Sequence, residues 1–284
     1  ARFDDRVTGS VANFAPKARI VHFDIDQVEI NKIVHADLSV NGDLRWSLPA
    51  FRKQLEASPI PAVQTVTWRQ ELQAQDYHPV SDPTRLMPHQ VIGEVCNQCG
   101  PEAVYVTDVG QHQMWAAQFY PVSQPHHFIT SGGLGTMGYG LPAALGAKVG
   151  EPEKTVLLIT GDGSILMNCQ EFTTLPTYGI QVKTIVLKNG QLGMVRQLQG
   201  LFRGGRYSQT KLIRKPSMAK IAEAMGISSR SISRPEELAE GLDFLFGSEN
   251  SALLEITIPE DERVYPVVPG SKGLDQMILG PEEK

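Results

Sequence analysis

Two periods alternate along this chain, and each change of period marks an element. A strand-like apolar run covers 19–25 and ends in acids, Asp24 and Asp26; a short helical pattern is expected from Gln27. Asn41-Gly42-Asp43 signals a turn. Residues 58–88 hold five prolines (Pro59, Pro61, Pro79, Pro83, Pro88) and little periodicity. They read as a linker enclosing a helix or two, with a domain boundary near Pro83 to Pro88. Beyond it the pattern becomes regular. Helical spacing at 89–99, near 113–119, at 138–149, 165–177, 217–225 and 235–246 alternates with strand-like runs. Those runs fall at 103–107, 127–129, 155–160, 182–188, 227–232 and 252–258. Strands alternating with helices predict an α/β fold, a mostly parallel sheet with helices on both faces. Ligands of such sheets sit at the carboxyl ends of the strands, so the residues after each strand are the first place to look for chemistry.

Composition narrows the function classes. With 284 residues the chain suits one large domain or two, and 41 % hydrophobic with 20 % charged residues is ordinary for a globular protein. No apolar run approaches 18 residues, which argues against a membrane-spanning helix. A net charge of −5 argues against a general nucleic-acid binder. Three cysteines do not suggest a disulfide scaffold. Cys96-Asn-Gln-Cys99 has no second pair or histidine cluster to complete a zinc site, and it ends a helix rather than beginning one, so it reads as inert. No targeting pattern opens the chain. Residue 1 is Ala, and a fragment or processed chain is expected, so location stays open.

Two motifs could carry chemistry. Gly133-Leu-Gly135-Thr-Met-Gly138 fits G-x-G-x-x-G between a strand and a helix, and Asp162 lies 24 residues further on. That layout is compatible with a nicotinamide or flavin dinucleotide site, or with a tight turn whose glycines permit close packing. The second motif spans two strand ends. Gly161-Asp162-Gly163-Ser164 closes one strand and Lys188-Asn189-Gly190-Gln191 closes the next. Adjacent parallel strands would set Asp162 beside Asn189. A carboxylate, a side-chain amide oxygen and a backbone carbonyl are hard ligands suited to Mg²⁺ with substrate phosphates. Gly163 would let the backbone approach a phosphate, and Ser164 would open a helix whose N-terminus favours an anion. The plain alternative is a helix cap at Asp162 and a simple turn at Asn189-Gly190.

Residues 161–189 resemble the thiamine diphosphate (ThDP) motif of ThDP-dependent enzymes. Longer stretches resemble the C-terminal half of the acetohydroxyacid synthase (acetolactate synthase) catalytic subunits. These are 2–9, 22–26, Gly110-Gln-His-Gln-Met-Trp-Ala-Ala-Gln118, Thr130-Ser-Gly-Gly-Leu-Gly135 and Leu192-Gly-Met-Val-Arg-Gln197. The resemblance implies Mg²⁺ on Asp162, the Asn189 side chain and the Gln191 carbonyl, and diphosphate contacts at Gln111, His112, Gly163 and Ser164. It further implies Gly135 and Met114 beside the aminopyrimidine, and Met137 as the apolar prop that holds ThDP bent. It implies an FAD lined by Arg2, Phe3, Asp4, Asp24, Ile25, Asp43 and Leu44, with Gly132 and Gly133 nearby. The domains would then be the end of a central FAD-associated domain (1–48), a linker (49–85) and a ThDP diphosphate-binding domain (86–284). Met194 and Leu198 would line the substrate channel.

There are departures from that pattern. The family usually has two Asn where this chain has Lys188-Asn189, and often His at the position of Gln191. It usually has Trp at the position of Leu198, where it favours 2-oxobutyrate and binds herbicides. The activating glutamate comes from a separate N-terminal domain of a partner subunit, is expected outside this chain, and is assigned to no residue here, so the chain alone is expected to be catalytically incomplete. The implied reaction is decarboxylation of pyruvate and condensation with a second 2-oxo acid, pyruvate or 2-oxobutyrate, in branched-chain amino acid biosynthesis. A homodimer or tetramer is implied, with a small regulatory subunit possible and no nucleic-acid or membrane partner. The compartment would be the cytoplasm in bacteria, or a plastid or mitochondrion in eukaryotes. Alternatives are another ThDP-dependent 2-oxo acid decarboxylase or carboligase, a nicotinamide-binding oxidoreductase, and a non-catalytic binding fragment.

Overall fold

The computed structural model describes residues 3–58, 63–73, 79, 81–120, 124–214, 216–270 and 272–281. The chain divides into two compact units, 1–78 with 265–284, and 79–264. In the first, a one-turn helix α1 (Asp5–Thr8) precedes two parallel strands, β1 (Val21–Asp24) and β2 (Leu38–Asn41), in register with Val21 opposite Leu38. Helices α2 (Leu44–Ala57) and α3 (Val63–Gln73) follow. Asp43 caps α2, its carboxylate accepting the Arg45 N–H at 2.8 Å. The span 49–85 thus holds most of α2 and all of α3; Pro49 sits inside α2, where it lacks one helical N–H. The helix expected from Gln27 is absent, and only turns occur there. The carboxylates of Asp24 and Asp26 accept the N–H groups of Asp26 and Val28, and these local bonds compete with a helix.

The second unit carries the site. Its elements begin with α4 (Pro88–Cys99), β3 (Val104–Thr107), α5 (Gln111–Phe119), β4 (Phe128–Thr130), α6 (Gly140–Gly150) and β5 (Val156–Gly161). Then come α7 (Asp162–Ile165), α8 (Thr174–Tyr178), β6 (Lys183–Lys188) and α9 (Gly193–Phe202). The last are α10 (Met218–Ala224), β7 (Ser228–Ile232), α11 (Leu238–Gly247) and β8 (Ala252–Thr257). Six strands form one parallel sheet in the order β4-β3-β5-β6-β8-β7. This is the expected α/β fold with helices on both faces.

The strand sequences explain the two layers. Side chains alternate between faces along a strand. Tyr105, Leu157, Ile159, Ile185, Leu187, Leu254 and Ile256 therefore share one core with Val91, Ile92, Trp115 and Leu242, from α4, α5 and α11. Val104, Val106, Val156, Leu158, Val186 and Leu253 share the other with Leu141, Leu175, Met218 and Ala222, from α6, α8 and α10. Both faces are buried, so these strands read as near-continuous apolar runs.

Two elements differ from expectation. The helix expected at 165–177 is broken into α7, a 3₁₀ turn at Cys169–Thr173, and α8. Pro176 is tolerated only in the first turn of a helix, so α8 must begin anew before it. Asn168 leaves helical geometry, and its amide donates to the Gly138 carbonyl at 2.7 Å. The helix α9 has no counterpart in the periodicity reading, because Gly193 and Gly200 lower its helix propensity. Among the described residues no helix is long and apolar enough to cross a membrane.

One buried ion pair ties the sheet to α10. Lys188 on β6 meets Glu255 on β8 at 2.9 Å, and Glu255 also accepts the Met218 N–H at 2.5 Å and the Ser231 hydroxyl at 3.2 Å. Removing Glu255 leaves the partly buried Lys188 charge and the Met218 N–H without their shared acceptor. Glu255→Ala is expected to lower the unfolding free energy by about 3–5 kcal/mol in urea titrations; a change below about 1 kcal/mol would contradict the pairing.

Candidate functional site

The strand order reverses direction between β3 and β5, since β4 lies on one side of β3 and β5 on the other. Loops leaving such a switch point diverge and open a crevice at the carboxyl edge. There the residues after β3, β5 and β6 line a cavity of about 270 Å³. It brings together Gln111, His112, Met114, Gly135, Met137, Asp162, Gly163, Ser164, Asn189 and Gln191, the residues expected at ThDP, together with Met194. Leu198 is not among the lining residues; it is exposed, four residues beyond Met194 on α9.

Pairing of β5 with β6 sets Gly161 opposite Leu187, so Asp162 and Asn189 leave neighbouring strand ends. Asp162 is buried and accepts the Gly190 N–H at 2.8 Å. Burial raises its carboxyl to about 6, opposed by backbone N–H groups that include Gly190. The Asn189 amide donates to Gln111 Oε1 at 3.1 Å, while its own Oδ1 accepts the Gln191 N–H at 3.2 Å. The Gln191 side chain donates to the Glu260 carbonyl, and its Oε1 is buried without a partner among the described residues. His112 is also buried; burial pushes it down to about 4, with Asp108 pulling the other way, so its imidazole is neutral at pH 7. Its Nε2 has no hydrogen-bond partner among the described residues. A Cβ at Gly161 would lie 2.7 Å from His112 Nδ1, so only glycine fits beside that ring.

These features suit a metal–diphosphate group. A buried carboxylate held above its ordinary value calls for a cation, and unsatisfied buried polar atoms call for a ligand. Among the described residues no cluster of three or more His, Cys, Asp or Glu could hold a metal.

Asp108 escaped the sequence reading. It is fully buried, and its carboxylate accepts the N–H groups of Val109 and Gly138, each at 2.9 Å, and the Thr160 hydroxyl at 3.3 Å. It ties the glycine-rich turn to β3 and β5. Its position directly after a predicted strand was the available signal. Gln197, which bonds Gln111 at 3.0 Å, was seen only as part of a resembling stretch.

The nicotinamide reading of the glycine turn is not favoured. That turn follows β4, an edge strand, and β3 separates β4 from β5, the strand that ends just before Asp162. A dinucleotide fingerprint needs the acid on the neighbouring strand.

Of the residues expected at FAD, Arg2 lies outside the described residues. Phe3 packs edge-on to Phe14 and His22 with centroids 5.9 and 5.1 Å apart. The Asp4 carbonyl accepts two N–H groups of α1, Asp24 ends β1, Ile25 and Leu44 are exposed, and Asp43 caps α2. Gly132 and Gly133 belong to the second unit and are exposed.

Comparison with known proteins points the same way. A family model described as "Thiamine pyrophosphate enzyme, C-terminal TPP binding domain" matches residues 108–256, and one described as "Thiamine pyrophosphate enzyme, central domain" matches 1–51. The chain is similar to the acetolactate synthase isozyme 2 large subunit of Escherichia coli, at 41 % identity over 282 residues, 98 % of this chain and 50 % of that protein. It is similar to the mitochondrial acetolactate synthase catalytic subunit of Saccharomyces cerevisiae, at 40 % over 294 residues, 98 % of this chain and 42 % of that one. It is also similar to the acetolactate synthase large subunit of Haemophilus influenzae, at 39 % over 290 residues, 100 % of this chain and 51 % of that one. The chain spans about half the length of the curated relatives it matches.

The C-x-x-C pair lies apart from the cavity-lining residues. Burial pushes the Cys96 thiol up to about 11 and the Cys99 thiol up to about 12. Both are expected to resist iodoacetamide at pH 8 in the native protein and to react at ordinary thiol rates in denaturant. Because the folded values are raised, the native state holds the protons more tightly than the unfolded one. That stabilisation is fully present below the ordinary thiol value of 9.0 and is lost as pH rises toward 11 to 12. Fast native labelling at pH 8 would contradict the burial.

Proposed function

Because the chain belongs to the thiamine pyrophosphate enzymes, we propose that it forms the cofactor-binding half of an acetolactate synthase catalytic subunit, working with ThDP, Mg²⁺ and FAD. The observation that carries the reading is the convergence of Asp162, Asn189 and Gln191 with Gln111 and His112 in one cavity at the switch point of the sheet. The similarity to acetolactate synthases along nearly the whole chain supports the substrate class, a pair of small 2-oxo acids.

Bound ThDP supplies a nucleophilic carbon that allows a 2-oxo acid to lose carbon dioxide and its two-carbon remainder to join a second 2-oxo acid. The protein's share is placement and electrostatics. Asp162, the Asn189 amide oxygen and the Gln191 backbone carbonyl hold Mg²⁺. His112, neutral and with Nε2 unpaired among the described residues, and Gln111, Gly163 and Ser164 meet the diphosphate. Gly135 and Met114 would lie beside the pyrimidine, and Met137 would be the apolar prop that orients the cofactor for reaction. The turn carrying Met137 is anchored at Gly138, whose N–H reaches Asp108. In the first unit, Phe3, Asp4, Asp24, Ile25, Asp43 and Leu44 are the residues proposed to line the FAD, with Arg2, which lies outside the described residues. The proposed domain limits are 1–48, 49–85 and 86–284. A homodimer or tetramer, with a regulatory subunit, completes the proposal, and the activating glutamate comes from another domain.

Acetolactate production from pyruvate by the full-length protein tests this reading. Product that requires both ThDP and Mg²⁺ and vanishes in Asp162→Ala is the expected outcome. Failure of a folded protein to bind ThDP would sink the proposal. A ThDP-loaded protein that makes no acetolactate would keep the cofactor and move the substrate to another 2-oxo acid carboligase.

Met194 and Leu198 are proposed to face the substrate channel. Leucine is smaller than the tryptophan usual there and cannot stack. Near-equal partition between acetolactate and acetohydroxybutyrate is expected at matched pyruvate and 2-oxobutyrate, with low herbicide sensitivity. A strong bias toward acetohydroxybutyrate would refute this role for Leu198.

A further inference from the structure

A chain of buried amides runs from backbone beyond β8 to the residue proposed to bind the metal. Val264 is fully buried and forms two bonds with the Gln197 side chain. Its N–H donates to Gln197 Oε1 at 2.9 Å, and its carbonyl accepts from Gln197 Nε2 at 2.8 Å. A backbone N–H can only donate and a carbonyl can only accept, so this pairing admits one orientation of the Gln197 amide. Gln197 Oε1 also faces Gln111, which must therefore present its Nε2, at 3.0 Å. The second hydrogen of that nitrogen goes to the Glu262 carbonyl at 3.1 Å. Gln111 Oε1 is left to accept from Asn189 Nδ2 at 3.1 Å. The Asn189 Oδ1 then points away from Gln111. It takes the Gln191 N–H at 3.2 Å and has a second lone pair, and Asn189 itself lines the cavity.

Each link is buried: Gln197 is 2 % exposed, Gln111 5 % and Asn189 9 %. Water is therefore poorly placed to rescue a flipped amide, and a flip anywhere would set two acceptors or two donors face to face. Gly193 leaves room for the Gln111–Asn189 link. A Cβ there would collide with Gln111 Oε1 and lie 2.7 Å from Asn189 Nδ2.

We propose that Gln197 is a positioning residue: through Gln111 it fixes the Asn189 amide with its oxygen, rather than its nitrogen, toward the divalent cation. The inference rests on the metal assignment proposed above and adds to it a residue that touches neither metal nor cofactor. Groups that orient a metal ligand typically carry 10- to 100-fold of metal affinity.

The test is the Mn²⁺ affinity of the full-length protein loaded with ThDP, read from the EPR signal of free Mn²⁺, with thermal unfolding of the same samples. Gln197→Met has similar volume and no amide, so Gln111 keeps only its bond to the Glu262 carbonyl and Asn189 is held less firmly; affinity at least about 10-fold weaker is expected. Gln197→Glu keeps an oxygen for the Val264 N–H and for Gln111 Nε2, and burial favours its protonated form, whose O–H donates to the Val264 carbonyl in place of Nε2, so affinity close to wild type is expected even if the melting temperature falls. A merely structural role would lower the melting temperature of Gln197→Met and leave the metal affinity of the folded protein unchanged. That result overturns the proposal, as does an equal loss of affinity in both variants. If Gln197→Met does not fold, Gln197→Glu decides alone: a tenfold loss there overturns the relay. A wild-type protein that binds ThDP without Mn²⁺ would instead refute the metal assignment, and the relay with it.

Discussion

All six strands of the larger unit run parallel, and the site depends on that constraint. Parallel pairing sends every strand-to-helix connection to one edge of the sheet. The reversal of strand order between β3 and β5 then leaves a crevice that neighbouring helices do not fill. Three connections meet there, after Thr107, Gly161 and Lys188. A fourth, the glycine-rich turn after β4, is drawn in by the Asp108 carboxylate, which takes the Gly138 N–H. The Asn168 amide, which donates to the Gly138 carbonyl, holds the same turn from the other side, so Met137 leaves a segment fixed at both groups of Gly138.

The electrostatics of the crevice follow from what it is built to hold. Neutral amides dominate its polar lining, and Asp162 is the carboxylate among them. A diphosphate brings several negative charges, and each further carboxylate would repel it. With the divalent cation proposed above, Asp162 would offset that charge, and neutral amides supply direction without adding any. The cost is conformational. An amide has distinguishable ends, and a buried one must be told which way to face. Backbone groups at Val264 and Glu262 give that instruction, because a peptide bond cannot flip within its segment as a side chain can.

Much of this was legible in the sequence, and the limits have physical causes. The strands after residue 100 were readable because burial on both faces makes each an unbroken apolar run, and strand ends located Asp162 and Asn189. Resemblance added Gln111, His112, Met114 and Met137, which taken alone pass for core or ordinary polar residues. Two features stayed hidden. The break between Ile165 and Tyr178 depends on where Asn168 sends its amide, a tertiary matter. The amide relay joins Gln197 to Gln111, 86 positions apart, and no local period records such a pairing.

Lys188 and Gln191, where this chain departs from the usual ThDP motif, are positions whose side chains the proposed metal site does not use. Lys188 is the last residue of β6 and Asn189 the first beyond it, so their side chains take different directions. Asn189 turns to the crevice, whereas Lys188 turns along the sheet to Glu255. A lysine there is compatible with burial because the neighbouring strand supplies its counter-charge and α10 supplies Glu255 with a further donor. Gln191 follows the same logic from the other side. The metal ligand proposed at that position is its backbone carbonyl, so the side chain is free to serve the scaffold, and it does so by bonding the Glu260 carbonyl. Gln191, Gln111 and Gln197 thereby hold the alternating carbonyls of Glu260, Glu262 and Val264. A segment with no strand of its own is fixed against the site by side chains that also shape it, so the segment's order and the site's geometry are one property.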